Sequence, residues 1–232
     1  MGRPYAMRLM AALALLSLAA CVGPIEQSKL ASIRTIGVAS VCGKDITRAA
    51  MGAFSFQNEI TRGDISDWGL DDEAVAVVAS ALKGRFDVAK ADIDPAILRE
   101  IRQKSILAEY DDAPIRAVRR DPKFDAYLVI WPTKSGTMAM RGMGIFTGSR
   151  HPEQTSAWLH TICFASLYDR AGDVRLGTGR AEETRYMVVG PRQDTWNEYS
   201  AAERERVREI LRELQARALT DAVATMNLSP RR

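Results

Sequence analysis

Histidine is almost missing from this chain, with two in 232 residues. His151 and His160 stand nine positions apart, and neither an HxxxH nor a CxxC pair occurs, so the ligand spacings of zinc sites are not there and no metal or cofactor is expected. A GxSxG elbow is missing too, which removes the hydrolases built on that turn. Gly177-Thr178-Gly179-Arg180 carries a fragment of a phosphate loop, but the following lysine is lacking and the segment reads as strand. Charge of one sign is also absent. The 32 Lys and Arg against 29 Asp and Glu leave +3, without the clustered basic surface that nucleic-acid binding leaves in a sequence. Neither an internal repeat nor a low-complexity segment appears, and apolar residues at 47% can support a core.

What is present begins with Met7 to Cys21. Arg3 and Arg8 make a positive start, and Leu9 to Ala20 is apolar but well short of the ~20 residues that span a bilayer. The run closes in Leu18-Ala19-Ala20-Cys21, which resembles the lipobox of a bacterial lipoprotein signal. That resemblance implies cleavage before Cys21, acyl chains on Cys21 and stable membrane attachment, because each buried methylene contributes ~0.8 kcal/mol. An uncleaved anchor or an ordinary secretory signal are the other readings. By resemblance to Gram-negative lipoproteins, Val22 in place of Asp implies the outer membrane, periplasmic face. Removing residues 1–20 takes away two arginines and brings the formal charge from +3 to +1. The expected layout is signal 1–20, lipidated tether 21–32, a single domain 33–228 and a tail 229–232.

With Cys21 lipidated, Cys42 and Cys163 remain as an even pair in an oxidising compartment. Two readings stand: a disulfide closing a long loop, or two small buried thiols in two strands. The second is the simpler expectation.

Ile33 to Cys42 reads as a first strand, β-branched and uncharged but for Arg34. Gly43 to Leu70 shows no period and reads as a long loop, a packed one or one that contacts a partner through Phe54 and Phe56. Asp71-Asp72-Glu73 opens a helix that Gly84 stops, a strand follows at Phe86–Ala91, and Pro95 starts a second helix reaching to about residue 110. A short helical piece is expected over 113–120. Phe124 to Pro132 is the strongest strand, continuously apolar from Ala126 and ended by proline. Met138, Met140 and Met143 then alternate with glycines before Phe146; this reads as the second strand of a hairpin with a glycine bulge, or as a pliable contact surface. Gln154–Arg170 and Val174–Val189 read as a long hairpin around Ala171-Gly172. Ser200 to Glu203 forms a capping box, and Val207, Ile210, Leu211, Leu214, Ala218, Ala222 and Met226 recur on one stripe of a last helix.

The fold class is therefore α/β (α+β), a mixed sheet in the order β-α-β-α-β-β-β-β-α with an amphipathic carboxy-terminal helix. Ala81-Leu82-Lys83-Gly84-Arg85-Phe86-Asp87-Val88 is similar to the helix-to-strand junction of the curli-secretion lipoprotein group. That group includes the penicillin-binding-protein activator lipoprotein and the Tol translocation protein's amino-terminal domain. Lys123 to Val129 resembles its next strand and Leu167 to Val174 its hairpin turn. The resemblance covers about residues 33–185 and implies an envelope protein that binds or assembles other envelope components, or itself, without cofactor or catalysis. Two departures stand: 43–70 lacks the alternation of pore-forming hairpins, and Ala39-Ser40-Val41-Cys42 replaces an aliphatic-Pro-Phe ending. The alternative is a periplasmic enzyme, a hydrolase, using His160 with a carboxylate from the stretch holding Asp64, Asp67, Asp71 and Asp72.

Overall fold

The computed structural model describes residues 23–51, 59–104, 113–135, 140–148, 155–189 and 196–230. Its elements in chain order are α1 (Gln27–Leu30), β1 (Thr35–Ser40), β2 (Asp45–Met51), β3 (Glu59–Asp64), α2 (Leu70–Leu82), β4 (Asp87–Lys90), α3 (Pro95–Lys104), α4 (Ala113–Arg116), β5 (Ala126–Pro132), β6 (Gly142–Gly148), β7 (Thr155–Asp169), β8 (Arg175–Val189) and α5 (Ala201–Thr225).

The two 15-residue strands set the frame. Asp169 accepts from the amides of Asp173 and Val174, and Gly172, in the left-handed region at φ 77°, completes the turn that returns β7 as β8. One edge of β7 pairs with β8 along its whole length. The other edge is shared: β5 covers it from Ala126↔Asp169 to Pro132↔Cys163, and β6 continues from Gly142↔Ile162 to Thr147↔Ala157. β5 and β6 are thus one line of the sheet, interrupted where Pro132 has no amide to donate. The excursion between them is closed by an antiparallel bridge, Lys134↔Arg141. The next line is built alike: β1 runs parallel to β5, β2 runs parallel to β6, and the chain steps aside between them at residues 41–44. β4 beside β1 and β3 beside β2 complete an eight-stranded mixed sheet.

One face of that sheet is covered from end to end. The capping box at Ser200 and Glu203 starts α5, whose apolar stripe buries Val207, Leu211 and Leu214 against Ile46, Met143, Ile145 and Leu159, and then Ala218, Ala222 and Val223 against Leu128, Ala165 and Leu167. α2 packs beside it through Ala74, Val78 and Leu82. Each fully buried leucine on these helices contributes ~2–3 kcal/mol of transfer free energy. Among the described residues the opposite face is covered around β5, where Tyr127, Val129, Trp131 and Tyr168 lie with Ile115, Val118 and Phe124. Asp125 clamps that end: its Oδ2 accepts from the amides of Arg34 and Thr35 at 3.0 and 3.1 Å, and Arg170 donates to Oδ1, which holds the Asp125 carboxyl down at about 2.

Several sequence expectations are corrected. Residues 43–70 are not a long loop: β2 and β3 pair antiparallel from Asp45↔Asp64 to Ala50↔Glu59, flanking 52–58, which lie outside the described residues. β6 is not the hairpin partner of β5 but its continuation along β7. The tether does not run to residue 32, because Ile25 and Leu30 are buried and the Ile25 amide donates to the Met226 carbonyl. Asp71 does more than open its helix: its Oδ1 accepts from Ser40 Oγ at 2.7 Å and the Gly43 amide at 2.8 Å, tying α2 to the end of β1. Cys42 and Cys163 are not two free thiols but a disulfide, with Cα atoms 6.5 Å apart and 121 positions between them in sequence.

Candidate functional site

Beyond α4 no described element covers the face of the sheet opposite α5, and strand register lays one row of residues across it. Ile60 pairs with Ala49, Ala49 with Phe146, Phe146 with Trp158, and Trp158 with Tyr186. Adjacent strands lie ~4.8 Å apart, so the row is nearly continuous. Ile60 is 59% exposed, Trp158 43% and Tyr186 52%, with Phe146 partly exposed between them. The rings of Trp158 and Tyr186 meet edge to face, centroids 5.3 Å apart. Large apolar side chains gathered on one face, rather than scattered singly, mark an interaction surface.

The next row inward is Arg62, Thr47, Gly144, His160 and Thr184. A lone histidine in a strand reads as half-buried with its polar atoms satisfied. His160 is fully buried, and among the described residues its ring nitrogens meet only the backbone of Trp158 and Arg141, without a well-formed hydrogen bond. Burial drives its pKa down from the usual 6.5 to about 4, against weaker opposing pulls from the backbone of Trp158 and Arg141 and from the Glu182 carboxylate. The ring fits because Gly144 has no side chain: a Cβ there would stand 2.3 Å from the Thr47 carbonyl oxygen and 2.6 Å from His160 Nε2. Gly144→Ala is therefore expected to destabilise by ~1–3 kcal/mol, since a backbone carbonyl cannot swing aside. Thermal unfolding checks it, and wild-type melting would mean the ring is not seated there.

A crevice of about 60 Å³ opens on this same face where the sheet lines are interrupted. Leu98, Ile101, Pro114 and Trp131 give it apolar walls; Arg62, Arg141, Asp45 and Thr47 give it polar ones. Beneath the other face, Arg48 is fully buried beside Tyr199. Burial raises the Tyr199 hydroxyl's pKa, and the Arg48 guanidinium and its hydrogen bond work against that rise.

The residues singled out in the sequence fare differently. Met143 is wholly buried beneath α5 and offers no contact surface; Met140 is partly buried; Phe146 does join the open row. Phe54, Phe56, Met138, His151 and Cys21 lie outside the described residues. Asp64 turns to the Ser66 amide, Asp71 to Ser40 and Gly43, and Asp72 to Lys90. Glu182 of β8, not a carboxylate of that stretch, is the acidic group that acts on His160. Trp158 and Tyr186 do not stand out locally in the sequence as contacts. The signal was in β8, where Glu182, Thr184 and Tyr186 alternate as an exposed face opposite the β7 positions that include Trp158.

No family profile matches the chain, and no curated protein matches it. Among solved structures it is similar to protein XCC0632 from Xanthomonas campestris, of family DUF330, at 9% identity and TM-score 0.34, covering 84% of each chain. It is also similar to lipoprotein GNA1162 from Neisseria meningitidis, at 15% identity and TM-score 0.31, over 79% of this chain and 99% of that one. The hypothetical protein CT253 from Chlamydia trachomatis matches at 8% identity and TM-score 0.34, over 83% and 95%.

Proposed function

We propose that the chain is a lipoprotein of the bacterial envelope, anchored through Cys21 at the periplasmic face of the outer membrane, that binds or assembles other envelope components and catalyses nothing. The observation carrying the binding role is the row of Ile60, Phe146, Trp158 and Tyr186 on the part of the sheet face that no described helix covers. The lipobox ending at Cys21 supports the anchor. No helix among the described residues is long and apolar enough to cross a membrane.

The test places a photo-cross-linking amino acid at Tyr186 or Ile60 in intact envelopes, with a control at Thr220 on the exposed side of α5. A discrete adduct is expected from both row positions and not from the control, lost when Trp158→Asp puts a charge into the row. Equal adducts at all three positions, or none, would overturn the binding role. The anchor is tested separately by metabolic acyl labelling, which Cys21→Ala should abolish.

A further inference from the structure

We propose that the crevice at the interruption of the sheet binds a short aliphatic carboxylate, with its head between Arg62 and Arg141 and its chain against Leu98, Ile101 and Trp131. This site is distinct from the aromatic row and goes beyond the envelope-binding role.

The crevice follows from the topology. β1 and β2 are interrupted at residues 41–44, and β5 and β6 at the neighbouring excursion that Lys134↔Arg141 closes, so two adjacent lines of the sheet part side by side. The Cys42–Cys163 disulfide fastens one edge of the gap, and Pro132 and Gly142 flank the other. The gap is not a loose surface dent, because β7 runs unbroken behind it.

Size and charge then select the ligand. One water-sized group takes ~10–15 Å³, so 60 Å³ seats about four to six such groups, the bulk of a leucine side chain or a short acyl chain. The lining carries two guanidiniums, Arg62 and Arg141, and one carboxylate, Asp45, a formal surplus of one positive charge. That surplus balances a monoanion, whereas a phosphate monoester would bring a second charge close to Asp45. Guanidiniums suit the planar two-oxygen geometry of a carboxylate. The apolar walls bury the chain while the head stays at the polar side, the division found in small-ligand sites. Such a carboxylate arrives either as a free short-chain acid or as the carboxy-terminal residue of a peptide with an aliphatic side chain.

The experiment is titration calorimetry on the full chain in uncharged detergent. The probes are 4-methylpentanoate and its amide, and N-acetyl-Ala-Leu as the free acid and the amide. The acids are expected to bind at least tenfold tighter than the amides. Arg62→Gln, on an edge strand where it cannot threaten the fold, is expected to weaken the acids tenfold with the melting temperature unchanged. Leu98→Trp, which fills the crevice, is expected to abolish binding. Tighter binding of the peptide acid identifies a chain terminus as the source, and tighter binding of 4-methylpentanoate a free acid; either supports the site. Acid and amide binding alike, no heat from any probe with the folded protein, or wild-type affinity in Arg62→Gln would overturn it. None of these outcomes depends on the cross-linking result at Tyr186.

Discussion

Without the bond between Cys42 and Cys163, the protein is expected to lose about 5 kcal/mol of stability. The bond closes a loop of 121 residues. On the chain-entropy model a closure of that length removes about 5 kcal/mol of freedom from the unfolded chain, at the upper end of what native disulfides contribute. The bond is possible only because the sheet is interrupted. β5 lies between β1 and β7, and two strand spacings would hold their backbones ~9.6 Å apart. β5 ends at Pro132, opposite Cys163, and there the chain leaving β1 comes within a Cα separation of 6.5 Å, inside the range a disulfide accepts. Urea unfolding of the oxidised protein, the reduced protein and the Cys42→Ala/Cys163→Ala variant measures the effect. The last two are expected to unfold together at much lower urea. Coincident curves for all three, with two reactive thiols in the denatured, unreduced chain, would show that the bond does not form.

The elements legible in the sequence carry their own evidence locally. α5 shows its capping box and its apolar stripe, β5 its unbroken apolar run, and β7 and β8 their turn. β2 was illegible because its burial depends on distant partners. Arg48 reads as a solvated position, yet it is fully buried beside Tyr199, far along the chain, and Ala49 and Ala50 show no preference that marks a strand. β6 was placed wrongly because strands close in sequence usually pair. β7 is long enough to hold two strands end to end on one edge, and neither β5 nor β6 records its length. The site was hidden for the same reason. The exposed row draws single residues from four strands, β3, β6, β7 and β8, across the buried Ala49 of β2, and the crevice draws from the strands and from α3 and α4 together. Only register places Trp158 beside Tyr186 and Arg62 near Arg141.

Acid is expected to weaken the fold by about 3 kcal/mol between pH 6.5 and pH 4 through His160 alone. An unfolded chain holds this ring near 6.5 and the folded chain near 4. Above pH 6.5 both forms are neutral and stability is unaffected. As the pH falls through the window the unfolded chain takes up a proton that the folded chain refuses, and each unit costs about 1.4 kcal/mol. Below pH 4 both are protonated and the loss stops growing. Asp125 acts in a different window, because its carboxyl is held at about 2 and loses its partners only below the usual carboxylate range. The two contributions therefore separate on a pH axis. The refusal has a visible cause: the ring is sealed over Gly144, and the pulls of the Trp158 and Arg141 backbone and of the Glu182 carboxylate are too weak to offset burial. His160→Gln keeps a polar group of similar size and removes the titration, so its stability is expected to be flat from pH 6.5 to about 5, above the carboxylate window, where the wild type already falls. A wild-type curve that is flat as well would mean that the ring meets water or a partner in the folded protein, and the sealed geometry would be wrong.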